Sequence, residues 1–276
     1  VGITKIINEE LRADHELLIL EMGARYPGNI DELCNIAQPD ISVVTNVGVA
    51  HLETFGSKKA IARTKGALVR RLTTGGLAVL NADDPRVAGM ARLRDNIRVI
   101  ETGLEHGSIR ASNIRYNPDG TRFRVSWNGE EETFTMQLLG AHNVQNMLLA
   151  IGVASTFNMR LKTMALAASQ IEPIEHRLEL KKQGGLYVID DAFNSNPIGA
   201  SNAIEILSQF DTGRRIIITP GMIELGELEE EKNYEFGQNI GNAGLDLVIL
   251  VGAQKTEAIR RGIASTGFPD EKVRVV

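Results

Sequence analysis

Short apolar, β-rich runs separated by helix-like stretches set the strongest limit on what this chain can fold into. Residues 17–20, 41–45, 77–80 and 98–100 are near-uniformly apolar rather than alternating, the pattern of strands buried on both faces. Helical patterns fill the gaps at 30–37 and 58–71. Strand–helix alternation predicts an α/β fold on a mostly parallel sheet. Residues 107–139 break the pattern. There, 109–116, 121–127 and 132–138 read as strands joined at Asn117-Pro118-Asp119-Gly120 and Asn128-Gly129. Gly and Asn supply the positive φ such turns need, which predicts an antiparallel β meander. Helices are expected at 143–157 and 162–171.

A second strand–helix series starts near residue 180. Strands are expected at 186–189, 215–219 and 245–251. Helices are expected at 197–210, with Pro197 in the first turn, at 227–242, with an acidic first turn, and at 256–263. The polar stretch 178–184 marks a boundary, giving domains at 1–179 and 180–276. The chain opens on Val1 and closes on a strand-like run ending at Val276, so both ends are expected to be cuts in something longer.

Composition narrows the function classes. Thirty basic against 35 acidic residues leave a net charge of −5, which argues against a chain built to coat nucleic acid or an anionic membrane. Cys34 is the single cysteine, which excludes an internal disulfide framework. No apolar run reaches the roughly 18–20 residues of a membrane span. A soluble, cytoplasmic monomer is the expectation.

Chemistry-bearing residues gather where predicted strands end, the edge where open α/β sheets bind ligands. Glu21 follows the first apolar run, and it is either a metal-reaching carboxylate or a solvated charge. His51 lies in Thr45-Asn46-Val47-Gly48-Val49-Ala50-His51, after the second. Carboxylate plus imidazole suits Mg²⁺ less well than all-oxygen ligation, so His51 is a compromise ligand, a ligand for another metal, or structural. Lys65 falls on a predicted helix, where a solvated role is the plain alternative. Asn143 and Asn146 sit at i and i+3 at a helix start, where two amides could read a purine edge or simply cap and solvate the helix. Arg177, in Glu175-His176-Arg177, could swing onto a phosphate or be a surface residue. Asp190-Asp191-Ala192-Phe193-Asn194-Ser195-Asn196-Pro197 puts two acids and two amides at a strand end. Glu224 lies in Gly221-Met222-Ile223-Glu224-Leu225-Gly226, after the next strand. Gly252-Ala253-Gln254-Lys255-Thr256 lacks phosphate-loop spacing and reads as a plain loop.

The order and spacing of these motifs, with Asn81-Ala82-Asp83-Asp84 among them, resemble the Mur ligases across essentially the whole chain. The stretches from Asp190 and from Gly221 look most like the branch that adds D-alanyl-D-alanine to a UDP-N-acetylmuramoyl-tripeptide. The resemblance implies a central ATPase domain at 1–179 and a Rossmann-like ligase domain at 180–276. It implies ATP and Mg²⁺ as cofactors and amide formation through an acyl phosphate, while the charge and the short apolar runs point to no nucleic acid partner and no membrane span. It further implies Glu21, His51 and Lys65 as metal ligands, Lys65 through its carbamate. Asn143 and Asn146 would contact adenine, Arg177 phosphate and Asp191 ribose. Asn194, Asn196 and Glu224 would line the dipeptide side. Lys65, His51 and Arg177 would be the catalytic set.

Five departures qualify the resemblance. The family's phosphate loop and UDP-binding domain have no counterpart here, and the ligase domain is expected to be truncated after Val276. Thr219-Pro220-Gly221-Met222 replaces the Gly-Asp-Met form common in that branch. Ala67 stands where an acid often follows the lysine. Without the loop the β- and γ-phosphates lose their backbone cradle, so the chain alone is expected to be inert. A scaffold that kept the fold and lost ATP hydrolysis is the alternative, distinguished by whether the gene carries an upstream glycine-rich loop. A folyl-polyglutamate-synthase-like ligase ranks below both.

Overall fold

A computed structural model describes residues 2–48, 52–192, 197–210, 212–223 and 225–276. Two compact units make up the chain. One consists of Val1–Ser112, Val125–Glu132 and Val144–Met164, the other of Asn113–Arg124, Thr133–Asn143 and Ala165–Val276.

The first unit is built on parallel strands β1 (Ile41–Val44), β2 (Leu77–Asn81) and β3 (Arg98–Gly103), with Ile41 opposite Leu77 and Leu77 opposite Arg98. Every residue of the central β2 is buried, as the apolar run over its first four residues demands. Successive side chains take opposite faces of the sheet. Ala78 and Leu80 pack with Val44, Ile61, Val69, Val87 and Met90, supplied in part by α4 (Lys58–Lys65), α5 (Ala67–Arg70) and α6 (Pro85–Ala88). Leu77 and Val79 pack with Leu149 and Val153 of α7 (Ala141–Ala154). That second approach is close: a Cβ added at Gly152 would stand 2.6 Å from Val79 Cγ1.

Helices α1 (Gly2–Glu9), α2 (Asn29–Ala37) and α3 (Leu52–Phe55) complete the N-terminal part. α2 buries Ile30 and Cys34 against Ala67. The sheet continues in the order β1-β2-β3-β4-β5-β6, with β4 (Ile109–Asn117), β5 (Gly120–Trp127) and β6 (Glu130–Met136). β4 runs parallel to β3. Two-residue connections join β4 to β5 and β5 to β6, and only antiparallel neighbours can be linked so briefly, so the expected meander forms.

Three expectations need correction in this part. Residues 17–20 form no strand: they carry no ladder bonds, and Leu17 and Ile19 are 58% and 90% exposed. Four apolar residues make a strand only with a paired neighbour and a covering layer, and here β1 is the last strand of its sheet. The helix expected over 58–71 divides at Gly66, where a Cβ would stand 2.8 Å from Leu93 Cδ1. The helix expected from Asn143 begins two residues earlier, and α8 (Leu161–Ala168) follows it.

In the second unit β9 (Ile216–Thr219), β10 (Leu247–Leu250) and β11 (Val273–Val275) form a parallel sheet in the order β11-β10-β9. Helices α9 (Pro197–Gln209), α10 (Glu229–Asn242) and α11 (Glu257–Ser265) accompany it. Ile204, Phe236, Ile240, Val248, Leu250 and Ile259 form its core. The strand expected at 186–189 is present as β8 (Leu186–Asp190), but it pairs antiparallel with β7 (Glu179–Gln183), not with β9. Thus the polar stretch read as a boundary is itself a strand. The cause is Gly184-Gly185, both at positive φ (56° and 81°), which closes a two-residue hairpin whose twist matches its strands.

Candidate functional site

At the carboxyl ends of β1 and β2, two loops are tied together by polar side chains. The loop after β1 is held at three consecutive residues. Asn81 Nδ2 donates to the Thr45 carbonyl (2.8 Å), Lys65 Nζ to the Asn46 carbonyl (2.7 Å), and Val47 N–H to Asp84 Oδ2 (2.6 Å). Asp84 also caps α6 by accepting from Arg86 N–H. Lys65 is the last residue of α4 and is half-buried. Burial pushes its ammonium below the ordinary lysine range, and the charge of Asp84 partly opposes this.

Beside this lysine lies a cavity of about 210 Å³ whose wall includes Met22, Gly23, Ala24, Asn46, Gly48 and Lys65. Glu21, next in sequence to Met22, is exposed in irregular chain rather than at a strand end. Its expected neighbour His51 lies outside the described residues, as do Asn194, Asn196 and Glu224.

Gln145 of α7 meets the same loops from the β2 side. Asn81 is only 4% exposed, and its Oδ1 accepts from Gln145 Nε2 (2.5 Å) and from the Asp83 N–H (3.0 Å). Gln145 Nε2 also reaches Asp83 Oδ2 at 3.2 Å. The Asp83 carboxylate further accepts from the N–H groups of Leu104, Glu105 and His106. Burial would raise its pKa, but those three hydrogen bonds and the His106 imidazole outweigh it and hold the carboxyl below its usual range. Asn143 is not an N-cap: it lies within the first turn, and its Nδ2 donates to the Leu139 carbonyl at 2.8 Å. Asn146 is exposed one turn on.

Within the second unit Arg177 stands between two residues in the left-handed region, His176 (φ 60°) and Leu178 (φ 48°). Such backbone is unusual for a bulky residue and must be held by its surroundings. Three carboxylates hold it. His176 N–H donates to Glu179 (3.0 Å), His176 Nδ1 lies 2.8 Å from Asp190 Oδ2, and Leu178 N–H reaches Asp191 Oδ1 at 3.3 Å. The Leu178 side chain is buried with Tyr116, Leu139, Ile206 and Phe210. Asp190 and Asp191 therefore have a structural task that the sequence did not disclose.

His176, Glu179 and Asp190 have the composition of a metal site, but Lys181 Nζ lies 2.6 Å from Asp190 and 3.2 Å from Glu179, in the place of a cation. Lys181 is the main reason that the Asp190 pKa falls to about 2, with His176 and Ala192 N–H assisting against burial. Asp191 shifts the other way: burial raises its carboxyl against the Leu178 hydrogen bond and the charge of His142.

Gln145, Asn81, Asp83 and Asp84 tie these loops together, and sequence reading singles out none of them as a site residue. Asn81, Asp83 and Asp84 lie in a quoted motif. Gln145 gave no signal, because its position inside an amphipathic helix resembles any polar residue of a solvated face.

The model of the Mur ligase middle domain matches residues 1–154, and that of the Mur ligase glutamate ligase domain matches residues 176–276. Among curated relatives, the UDP-N-acetylmuramoyl-tripeptide--D-alanyl-D-alanine ligase of Mycobacterium bovis is 34% identical over 272 residues, covering 95% of this chain and 53% of the relative. That of Bacillus subtilis is 31% identical over 239 residues, covering 86% and 51%. The chain thus spans about half the length of the curated relatives it matches. Among solved structures, MurF from Acinetobacter baumannii superposes with a TM-score of 0.82 at 26% identity, covering 96% of this chain and 57% of that one. MurF ligase from Thermotoga maritima in complex with ADP gives a TM-score of 0.80 at 25% identity, covering 99% and 61%.

Proposed function

The chain belongs to the Mur ligase family, and from that premise we propose that it is part of an ATP-dependent carboxylate–amine ligase of peptidoglycan precursor synthesis. The substrates would be a UDP-N-acetylmuramoyl-tripeptide and D-alanyl-D-alanine, as the names of its relatives specify for those proteins. A carboxylate oxygen of the tripeptide attacks the γ-phosphorus of ATP, the bond to ADP breaks, and an acyl phosphate forms. The dipeptide amine then attacks the acyl carbon, loses a proton and expels phosphate.

The observation that carries this reading is the half-buried Lys65 on the wall of the cavity at the β1 end. A lysine forms a carbamate only through its neutral amine, and burial moves Lys65 toward that form. The carbamate would add oxygen donors to the carboxylate of Glu21, a donor set suited to a hard divalent cation. Glu21, Lys65 and His51 would hold Mg²⁺, which when bound offsets charge on the transferring phosphoryl group. Asn143 and Asn146 would meet the adenine, Asp191 the ribose and Arg177 the phosphates. Asn194, Asn196 and Glu224 would face the dipeptide.

Titration calorimetry with Mg-ADP, beside intact-mass measurement under CO₂, tests the proposal on the full chain. Saturable binding, weakened about tenfold in Asn146→Ala through loss of one amide contact to the base, is the expected result. A chain with no saturable adenine-nucleotide binding would overturn it.

A further inference from the structure

We propose that Gln145 is a positioning residue that couples the nucleotide-facing start of α7 to the loop receiving Lys65. This rests on the functional reading above only in what it takes the two ends to bind.

One side-chain amide group makes the coupling. Gln145 Nε2 donates to Asn81 Oδ1 (2.5 Å) and to Asp83 Oδ2 (3.2 Å). Beyond Asn81 the connection is direct: its Nδ2 holds the Thr45 carbonyl, the next carbonyl takes the Lys65 ammonium, and the next N–H binds Asp84. Beyond Gln145 the next residue is Asn146. Asp83, fixed by the N–H groups of Leu104, Glu105 and His106, anchors the arrangement to the end of β3.

The network has little slack. Asn81 is buried and its amide is used at both ends, so rotating it to suit a displaced Gln145 would strand a donor or an acceptor. A shift at the start of α7 is therefore transmitted to the Thr45–Val47 segment. Two sites that bind different parts of one nucleotide would then be set in register before the ligand arrives, which is where positioning lowers a barrier.

The experiment uses the full chain with Gln145→Leu and Gln145→Glu. Hydrogen exchange without nucleotide reads the coupling, and Mg-ADP titration reads its consequence. Gln145→Leu is expected to speed exchange at the amides of Asn46 and Val47 and to weaken Mg-ADP about five- to tenfold, the effect of one lost buried hydrogen bond. Gln145→Glu adds a readout that a merely structural role would not move. Its carboxylate would face Asp83, with His106 on the far side of that acid, and it could donate only when protonated. Its Mg-ADP affinity should fall as pH rises from 5 to 8 by about tenfold relative to the parent, and its loop exchange should quicken in parallel. Unchanged exchange at Asn46 and Val47 in Gln145→Leu, or pH profiles of Gln145→Glu that match the parent's, would overturn the inference. If the parent itself binds no adenine nucleotide, the functional reading fails, and hydrogen exchange still decides the coupling.

Discussion

Oδ2 of Asp190 lies 2.8 Å from His176 Nδ1 and 2.6 Å from Lys181 Nζ, so one carboxylate oxygen fixes a left-handed residue beside Arg177 and a diagonal contact across the β7–β8 hairpin. Asp190 titrates at about 2 in the folded chain against 3.8 ordinarily. Its folded-state pKa is depressed, so its contribution to stability is complete above the unfolded value and is lost as pH falls through the folded one. Asp190→Asn should therefore be less stable than the parent at neutral pH, with the difference shrinking between pH 3.8 and about 2. Urea unfolding across that range checks this, and a difference that does not change with pH would contradict it.

The sign reverses for Lys65. Burial lowers its folded pKa below 10.5, so the protonated form costs stability below the folded value, and that cost fades as pH rises toward 10.5. The stability of the parent relative to Lys65→Met should therefore rise as pH goes from 7 into alkali. The same variant should abolish any CO₂ adduct seen by intact mass. Thermal melts from pH 7 upward measure the first effect.

Gly237 and Gly262 let α10 and α11 meet backbone to backbone. A Cβ on Gly237 would stand 2.1 Å from the Ile259 carbonyl oxygen, and one on Gly262 2.1 Å from that of Tyr234. Gly237→Ala should destabilise the second unit by about 1–3 kcal/mol through overpacking. The double variant with Gly262→Ala should lose less than the sum, because one helix shift relieves both clashes. Denaturant midpoints of the three variants test this.

Thr102 is completely buried in β3, and among the described residues its hydroxyl has no hydrogen-bond partner. Thr102→Val keeps the shape and removes the stranded group, so it should stabilise the chain by about 1 kcal/mol. A loss of stability on calorimetric melting would show that the hydroxyl is satisfied after all.

The 276 residues contain no Gly-Lys pair and hence no phosphate loop of the usual form. This chain by itself should release no phosphate from ATP with both substrates present. Measured turnover dependent on both substrates would refute that.

Legibility in the sequence followed the range of the interactions. β2 was readable because four of its five consecutive buried positions are apolar, and the meander because its turns use Asn and Gly. The run at 17–20 misleads: apolarity says that a segment can be buried, while pairing and cover are supplied by other parts of the chain. The polar strand β7 was invisible for the converse reason, since its register comes from Gly184-Gly185 and from Lys181 meeting Asp190. Asn143, Asn146 and Asp191 stand out as polar types at a helix start and a strand end, whereas Lys65 and Arg177 stand out only through the order of the motifs. Gln145 does not stand out at all.

The sequence by itself determined the strand–helix alternation, the hairpin turns and the family, because these depend on local periodicity, backbone preference and motif order. Only the tertiary structure decided that Asn81 and Gln145, 64 residues apart, share a hydrogen bond, or that Asp190 serves His176 as well as Lys181. A buried polar group must find a partner, but many placements would satisfy it, and packing of the whole chain selects one.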